Sequence, residues 1–326
     1  MNLFRQCEWK VPVLSLVAPF LNEQASAEAF GQFTRALARD VKSRFGLDLE
    51  VVLVDDGSTD DSISRYRESL DGNWRIVELS RNFGKEIALF SGIEESRGDF
   101  VLTVDADLQH PYEVCIELIS TLLADDDLDV VYSVRRDRMR ESWTKAIGSK
   151  LFYRVINAGQ RFDMPENAGD FRIMRRQVAT ALLSIRDKRR FNKGLYAWMG
   201  FKQKGVPYIP APRAAGETKW SKRGLAALSL EGITSFSALP LRSISVVGVI
   251  IGVLGVFYGA EIIVEALLFG TDVPGYPSLM ASISVLGGFN LALLGLLGEY
   301  IWVTIGEVKD RPLYVVRRIH RSDDVA

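Results

Sequence analysis

The chain has 326 residues, of which 48% are hydrophobic and 25% are charged, and its 40 basic residues nearly balance its 41 acidic ones. The formal net charge of -1 excludes the excess of positive charge typical of nucleic-acid-binding proteins, and the hydrophobic content excludes disorder. The two cysteines and two histidines exclude a disulfide framework and a histidine-rich metal site.

Short apolar runs alternate with segments of helical periodicity in the first part of the chain. The predicted strands cover residues 11–18, 49–54, 75–79, 100–104 and 129–134, and the predicted helices cover 26–45, 85–95 and 111–123. This alternation is typical of a parallel sheet with helices on both faces. Ligands of such sheets bind beyond the carboxyl ends of the strands, so we expect the functional site at that edge.

Two long apolar segments follow. Residues 243–269 include only two charged side chains, Glu261 and Glu265, and residues 278–297 include none. Because about 20 apolar residues suffice to cross the hydrocarbon core as a helix, the segments predict a transmembrane hairpin with helices at about 243–269 and 278–299. A pair of buried core helices is the alternative, but such helices usually have a polar face.

The distribution of positive charge predicts the orientation of this hairpin. Lys and Arg residues flank both apolar segments and are absent from the loop between them, which places both termini in the cytoplasm. The prediction thus divides the chain into a cytoplasmic domain (1–222), an amphipathic interface helix (223–239), two transmembrane helices (240–305) and a cytoplasmic tail (306–326).

Acidic side chains follow two of the predicted strands. Asp105 and Asp107 come after the fourth strand, where carboxylates suit Mg²⁺ or Mn²⁺ bound to a diphosphate, although Asp107 could instead cap a helix. Asp55 and Asp56 end the second strand, where they either form a turn or hold a base or ribose. The aspartates of residues 125–129 lie in a run after a helix and are interpreted as a solvated turn.

The order of these segments resembles a known family. Residues 17–23, 54–58 and 104–109 end the first, second and fourth strands in the order found in the nucleotide-sugar domain of the family 2, GT-A type glycosyltransferases. The glycine-rich phosphate loops of dinucleotide enzymes and P-loop NTPases are absent. The Gln-x-x-Arg-Trp signature of processive family members is absent too, which argues against a polymerising synthase.

Later segments of the chain resemble one particular group within this family. Several short stretches are similar to those of the polyisoprenyl-phosphate hexose synthases, and in particular the bactoprenol (undecaprenyl-phosphate) glucosyltransferases: 166–174, 193–195, 213–219, 230–237, 275–278 and 297–301. The resemblance covers nearly the whole chain.

The resemblance implies both a fold and a reaction. The fold is an α/β, GT-A (Rossmann-like) nucleotide-sugar domain, followed by a juxtamembrane amphipathic helix and a two-helix transmembrane hairpin. The reaction is transfer of a hexose, with glucose expected, from a UDP-sugar to undecaprenyl phosphate with inversion, for O-antigen or other cell-envelope glycans. The implied enzyme is a homotetramer in the bacterial inner membrane with a Mg²⁺ or Mn²⁺ cofactor.

The resemblance also assigns roles to individual residues. Asp107 is the implied metal ligand, Asp170 is the candidate catalytic base, and Ser221 and Lys222 are weaker candidates for binding the acceptor. The implied donor-binding residues are Pro19, Leu21, Glu23, Val54, Asp56, Asp105, Ala106, Gln109, Arg135, Arg213 and Lys219.

Three alternatives remain open. The sugar could be aminoarabinose, an N-acetylhexosamine or mannose, because sugar choice depends on the shape of the pocket. Asp170 could orient the nucleophile instead of removing a proton, because a phosphate monoester is already mostly dianionic at pH 7. A non-enzymatic membrane protein with a nucleotide-sugar-sensing domain is the alternative from another class.

Overall fold

A computed structural model describes residues 11–135, 168–188, 190–209 and 275–325, together with nine helical positions between 248 and 268. The described residues form an eight-stranded sheet and several helices. The strands are β1 (Val13–Phe20), β2 (Asp48–Asp55), β3 (Trp74–Leu79), β4 (Phe100–Thr103), β5 (Val130–Arg135), β6 (Ala168–Arg175), β7 (Gln203–Tyr208) and β8 (Val316–Arg321). The helices are α1 (Ala27–Phe45), α2 (Ser62–Ser69), α3 (Lys85–Glu95), α4 (Tyr112–Leu123), α5 (Arg176–Ser184), α6 (Asn192–Trp198) and α7 (Tyr276–Val308).

The sheet is mixed, which corrects the prediction of an all-parallel sheet. Its strand order is β7-β5-β6-β4-β1-β2-β3-β8, and β1 to β4 form the expected parallel centre. Strand β6 runs antiparallel to both β4 and β5, and β8 runs antiparallel to β3. Strand β8 pairs with β3 across most of the length of the chain, so the local alternation that predicts parallel strands says nothing about its direction.

Helices cover both faces of the sheet, as the alternation predicts. Side chains of β1 alternate between the faces, with Leu14 and Leu16 packing with the buried residues of α1, α2 and α4. Val17 points to the opposite face, where a Cβ atom on Gly92 of α3 would lie 2.5 Å from its Cγ1 atom. The central strands are therefore buried on both sides, which explains their nearly continuous Val and Leu runs.

A buried ion pair lies in the same sheet. Glu50 in β2 and Arg75 in β3 are 2% and 7% exposed, and Arg75 Nη2 lies 2.9 Å from Glu50 Oε1. The Ser15 hydroxyl donates to Glu50 Oε2 at 2.5 Å, and the Arg97 backbone N–H donates to the same oxygen at 2.8 Å. Each charge is thus compensated by polar partners, the condition under which a charge pair is stable in a protein interior.

The tail forms an edge strand. His320 in β8 pairs with Ile76 in β3, and its ring lies 3.4 Å from a carboxylate oxygen of Glu78. Tyr314 donates from its hydroxyl to Glu94 at 2.6 Å. The compact unit that contains β1 to β7 therefore includes chain from both sides of the apolar region.

The helix α7 belongs to a second compact unit. It has 33 residues and extends beyond the predicted 278–299, because the apolar residues after Glu299 continue the helix. Among the described residues it is the one helix long and apolar enough to cross a membrane, over Leu286–Val308. The predicted interface helix (223–239) and most of the first predicted span lie outside the described residues. The two-helix hairpin therefore remains a prediction.

Candidate active site

The carboxyl ends of the parallel strands bring the predicted acidic residues to one edge. Phe20 pairs with Asp55, and Val17 pairs with Thr103, so the loops after β1, β2 and β4 leave the sheet side by side. Thr103 also pairs with Arg172 in the antiparallel strand β6. This register places Asp170, two residues before Arg172, at the same edge as Asp105.

The loop after β1 is fastened to the loop after β2. The Asn22 backbone N–H donates to the Ser58 hydroxyl at 2.9 Å, and the Asn22 side chain accepts the Thr59 backbone N–H at 2.8 Å. The Glu23 backbone N–H donates to the Ser62 hydroxyl at 2.9 Å. These bonds fix one wall of the site.

Asp55 and Asp56 have different structural roles. Asp55 accepts the Ser58 backbone N–H at 3.0 Å and so forms the predicted turn. Asp56 lines the cleft and accepts the backbone N–H groups of Phe83 and Gly84 at 2.7 and 3.0 Å. Burial raises the pKa of both carboxyls despite these hydrogen bonds. Asp56 therefore anchors the segment before α3 to the floor of the site.

Gly57 allows this close approach. Its φ is +81°, and a Cβ atom there would lie 2.6 Å from the Arg81 carbonyl carbon and the Asn82 nitrogen. Gly57→Ala should lower the stability by about 1–3 kcal/mol and weaken UDP binding, because the segment before α3 must move. Gly72→Ala is the control, since Gly72 has a φ of +74° and no atom within 4 Å of that Cβ position. Calorimetry should show normal UDP binding by Gly72→Ala, and equal loss in both variants would contradict the prediction.

Asp105 forms an ion pair that the sequence did not predict. Lys85 at the start of α3 places its Nζ atom 2.6 Å from Asp105 Oδ1, and His110 Nε2 lies 3.6 Å from Asp105 Oδ2. Burial alone would raise the pKa of Asp105, but the Lys85 ammonium and the His110 ring hold it well below its usual range. The His110 ring also stacks on Phe171, with 4.1 Å between ring centroids. Asp105 is therefore a fixed carboxylate in the wall of the site.

Asp107 and Gln109 form a compact oxygen-rich turn. The Gln109 backbone N–H and side-chain amide donate to the two Asp107 carboxylate oxygens at 3.2 and 2.6 Å. The residue between them, Leu108, has a φ of +54°, so the turn departs from ordinary backbone conformations. This places one carboxylate and one side-chain amide side by side at the mouth of the cleft.

Asp170 lies near the same lysine, Lys85. Lys85 Nζ is 3.9 Å from Asp170 Oδ2, and the other carboxylate oxygen, Oδ1, is buried without a hydrogen-bond partner among the described residues. Burial, together with the negative charge of Asp170, raises the pKa of neighbouring Glu86 to about 7. Behind them the fully buried Arg172 packs over the Tyr196 ring at 3.5 Å. Asp170 is thus a carboxylate with hydrogen-bonding capacity to spare.

These side chains surround a cleft of about 440 Å³. Its described lining includes eight of the predicted residues: Pro19, Leu21, Glu23, Asp56, Asp105, Ala106, Asp107 and Gln109. Phe20, Asn82, Gly84 and Lys85 also line it and were not predicted. The last three follow β3 at the start of α3, a position that the edge rule for α/β sheets could have indicated.

The remaining predicted residues have other outcomes. Val54, which is predicted to contact uridine and ribose, is fully buried with its side chain towards Gly92 of α3, and it is not among the described residues that line the cleft. Arg135 ends β5 at the carboxyl edge, but its side chain lies outside the description. Arg213, Lys219, Ser221 and Lys222 lie outside the described residues.

The family model for glycosyl transferase family 2 matches residues 15–183, which include the parallel strands and the residues of the cleft described above. Together with the mixed α/β sheet and its acidic edge, this match shows that the chain belongs to glycosyltransferase family 2 and is a glycosyltransferase.

Three known proteins illustrate the similarity. An uncharacterized glycosyltransferase of Synechocystis sp. is 42% identical, with 93% of this chain and 94% of that protein covered. A bactoprenol glucosyl transferase of a Shigella phage is 38% identical, with 95% and 99% covered. The crystal structure of glucosyl-3-phosphoglycerate synthase from Mycobacterium tuberculosis has a TM-score of 0.44 and 20% identity, with 69% of this chain and 79% of that chain covered.

Proposed function

We propose that this glycosyltransferase moves a glucosyl group from UDP-glucose to the phosphate of undecaprenyl phosphate. The cleft supplies the observation that carries the proposal: Asp107 and Gln109 line it together with Lys85, whose Nζ atom lies 3.9 Å from a second carboxylate, Asp170. The similarity to a bactoprenol glucosyl transferase over 95% of this chain supports the same donor and acceptor. The product is a lipid-linked sugar for O-antigen or other cell-envelope glycans.

The cleft residues fit a divalent cation shared with the donor diphosphate. No group of three His, Cys, Asp or Glu side chains that could hold an ion lies among the described residues, and in this proposal the donor diphosphate would supply further oxygen ligands. The Asp107 carboxylate and the Gln109 side-chain oxygen are hard donors of the kind that Mg²⁺ and Mn²⁺ prefer. When bound, such an ion stabilises negative charge on the departing diphosphate.

We assign the remaining contacts with the substrates to four groups of residues. Pro19, Leu21, Glu23 and Asp56 line the cleft, and we assign them to uridine and ribose. We assign Asp105 and Ala106 to the donor pocket, Arg135, Arg213 and Lys219 to the phosphates, and Ser221 and Lys222 to the acceptor or to headgroups.

The reaction we propose is a single displacement. An acceptor phosphate oxygen forms the new bond to the anomeric carbon while the bond to UDP breaks, and the bonding electrons leave with UDP. An α-linked donor thus gives a β-linked product. The acceptor is mostly dianionic at pH 7, so Asp170 has little proton to remove. Its main contribution in this scheme is to orient the nucleophile, with residual proton transfer as a minor one.

Membrane attachment fits this acceptor. We propose that the hairpin anchors the enzyme in the bacterial inner membrane with the catalytic domain and both termini in the cytoplasm. The pairing of β8 with β3 supports an even number of crossings, because both flanks of the apolar region contribute to one sheet and must share a compartment. A crossing by α7 then requires a second crossing before it.

A transfer assay on the full-length protein in detergent tests the proposal. We expect label from UDP-glucose to enter undecaprenyl phosphate with Mg²⁺ or Mn²⁺, at least about 100-fold less label with EDTA, and a β-linkage by NMR. UDP-mannose and UDP-N-acetylhexosamine serve as matched donors. Transfer from one of these alone would correct the sugar, an α-linkage would overturn the single displacement, and absence of transfer from every nucleotide sugar would overturn the enzymatic proposal.

A further inference from the structure

Lys85 occupies the centre of the carboxylate-lined cleft. Its Nζ atom lies 2.6 Å from Asp105 on one side and 3.9 Å from Asp170 on the other. The side chain remains 42% exposed, so the ammonium reaches the open space of the cleft. It is the one cation among the described residues that line the cleft.

The carboxylates around the cleft make the position of the Lys85 ammonium important for binding a negatively charged substrate. Asp105 and Asp107 stand in its wall and Asp170 beside Lys85, with Glu86 buried behind them. Two like unit charges 4 Å apart repel by about 4 kcal/mol at an effective dielectric constant of 20. A phosphate dianion that enters such a site therefore needs a cation close to its binding position.

In the proposed function, the donor and the acceptor have different protein partners. In the proposed function, Asp107 and Gln109 bind the donor diphosphate through the metal ion. Asp170, which orients the acceptor, belongs to a different element, the strand β6. Lys85 Nζ lies 3.9 Å from Asp170, so in the proposed function its ammonium is within reach of a phosphate that Asp170 orients. An ammonium has three N–H donors, so Lys85 can keep one on Asp105 and direct another to a phosphate oxygen.

We propose that Lys85 binds the phosphate of the polyprenyl acceptor and holds it beside Asp170 for attack on the donor sugar. This inference rests on the proposed function and adds a residue to its acceptor site. Lys85 donates hydrogen bonds throughout and neither gains nor loses a proton. The bonds that form and break remain those of the single displacement.

Steady-state kinetics with each substrate varied separately test the assignment. Lys85→Met removes the charge and keeps the length of the side chain. We expect it to raise the KM for undecaprenyl phosphate about 10- to 100-fold, the effect of losing a charge-assisted hydrogen bond, and to change the KM for UDP-glucose less than about twofold. Lys85→Arg should restore most of the acceptor affinity. Lys202→Met, which removes an exposed lysine paired with Asp127 at 3.1 Å, is the control and should match the wild type.

The outcomes separate this proposal from the proposed function. A raised donor KM with an unchanged acceptor KM would assign Lys85 to the donor and overturn the inference, as would unchanged values for both substrates. Calorimetry with UDP and Mn²⁺ should show normal donor-site binding by Lys85→Met, and Lys85→Gln provides the same comparison if the methionine variant does not fold. A wild-type protein without transfer would overturn the proposed function itself.

Discussion

Asp107→Ala is expected to lower the rate of sugar transfer about 1000-fold. The Asp107 carboxylate lies at the mouth of the cleft and is the proposed protein ligand of the cation, so its loss removes several kcal/mol of stabilisation from the departing diphosphate. The fold should survive, because Asp107 is half-buried in the wall of the cleft and does not belong to the buried core. The measurements are turnover with UDP-glucose and Mn²⁺ binding in the presence of UDP.

Asp126→Ala is the matched control for this substitution. Asp126 lies in the acidic turn after α4, has a fully exposed side chain, and contacts Arg175 only at 3.4 Å. It should turn over like the wild type. If Asp107→Ala kept most of its turnover or bound Mn²⁺ normally, the assignment of the metal site to this turn would be wrong.

Glu50→Ala is expected to cost about 3–5 kcal/mol of folding free energy, the largest effect on stability that the described residues predict. The substitution leaves Arg75, which is 7% exposed, with only the more distant Glu95 carboxylate at 4.0 Å, and it removes the acceptor of the Ser15 hydroxyl and the Arg97 N–H. For a domain of this size the loss corresponds to a melting temperature lower by about 10 °C. Thermal unfolding followed by tryptophan fluorescence in detergent measures it.

Glu28→Ala provides the comparison, because Glu28 pairs with Arg35 at 3.7 Å with 73% of its side chain exposed. Removing this surface pair should change stability by less than about 1 kcal/mol. A melting temperature of Glu50→Ala within 2 °C of that of Glu28→Ala would show that the buried pair contributes little.

The central sheet follows closely from local sequence. The helix predicted at 85–95 begins and ends where α3 does, because Gly84 precedes it and its apolar residues recur at helical spacing. The strands β1 to β4 are confirmed within two residues, since they are apolar runs buried on both faces. Their order along the chain was sufficient to place the acidic residues at one edge.

The antiparallel strands could not be predicted in the same way. β8 has the sequence VRRIHR, whose four basic residues are typical of a polar tail, and its pairing with β3 depends on residues more than 200 positions away. Strand β6 contains Arg172, which is fully buried. Its guanidinium packs over the Tyr196 ring and donates a hydrogen bond to a backbone carbonyl. The hydrophobic periodicity of the sequence does not reveal the partners of β8 and β6, because both strands depend on tertiary contacts.

The candidate site was predicted in part. Residues that follow strands directly, such as Asp56, Asp105 and Asp107, line the cleft as expected. Lys85 was missed because a lysine at the start of a helix ordinarily suggests solvent exposure. Only the register that brings Asp105 and Asp170 together shows that its ammonium is held between two carboxylates.

The edge strand β8 also constrains how the molecule is made. Synthesis proceeds from the N-terminus, so β3 is complete long before its neighbour exists, and His320 meets Glu78 across 242 residues of sequence. Until then β3 presents an unpaired edge open to pairing with other chains. Strand β8 thus closes the edge of a sheet whose central strands are synthesised much earlier, and a chain that stops within the apolar region is left with an open, aggregation-prone edge at β3.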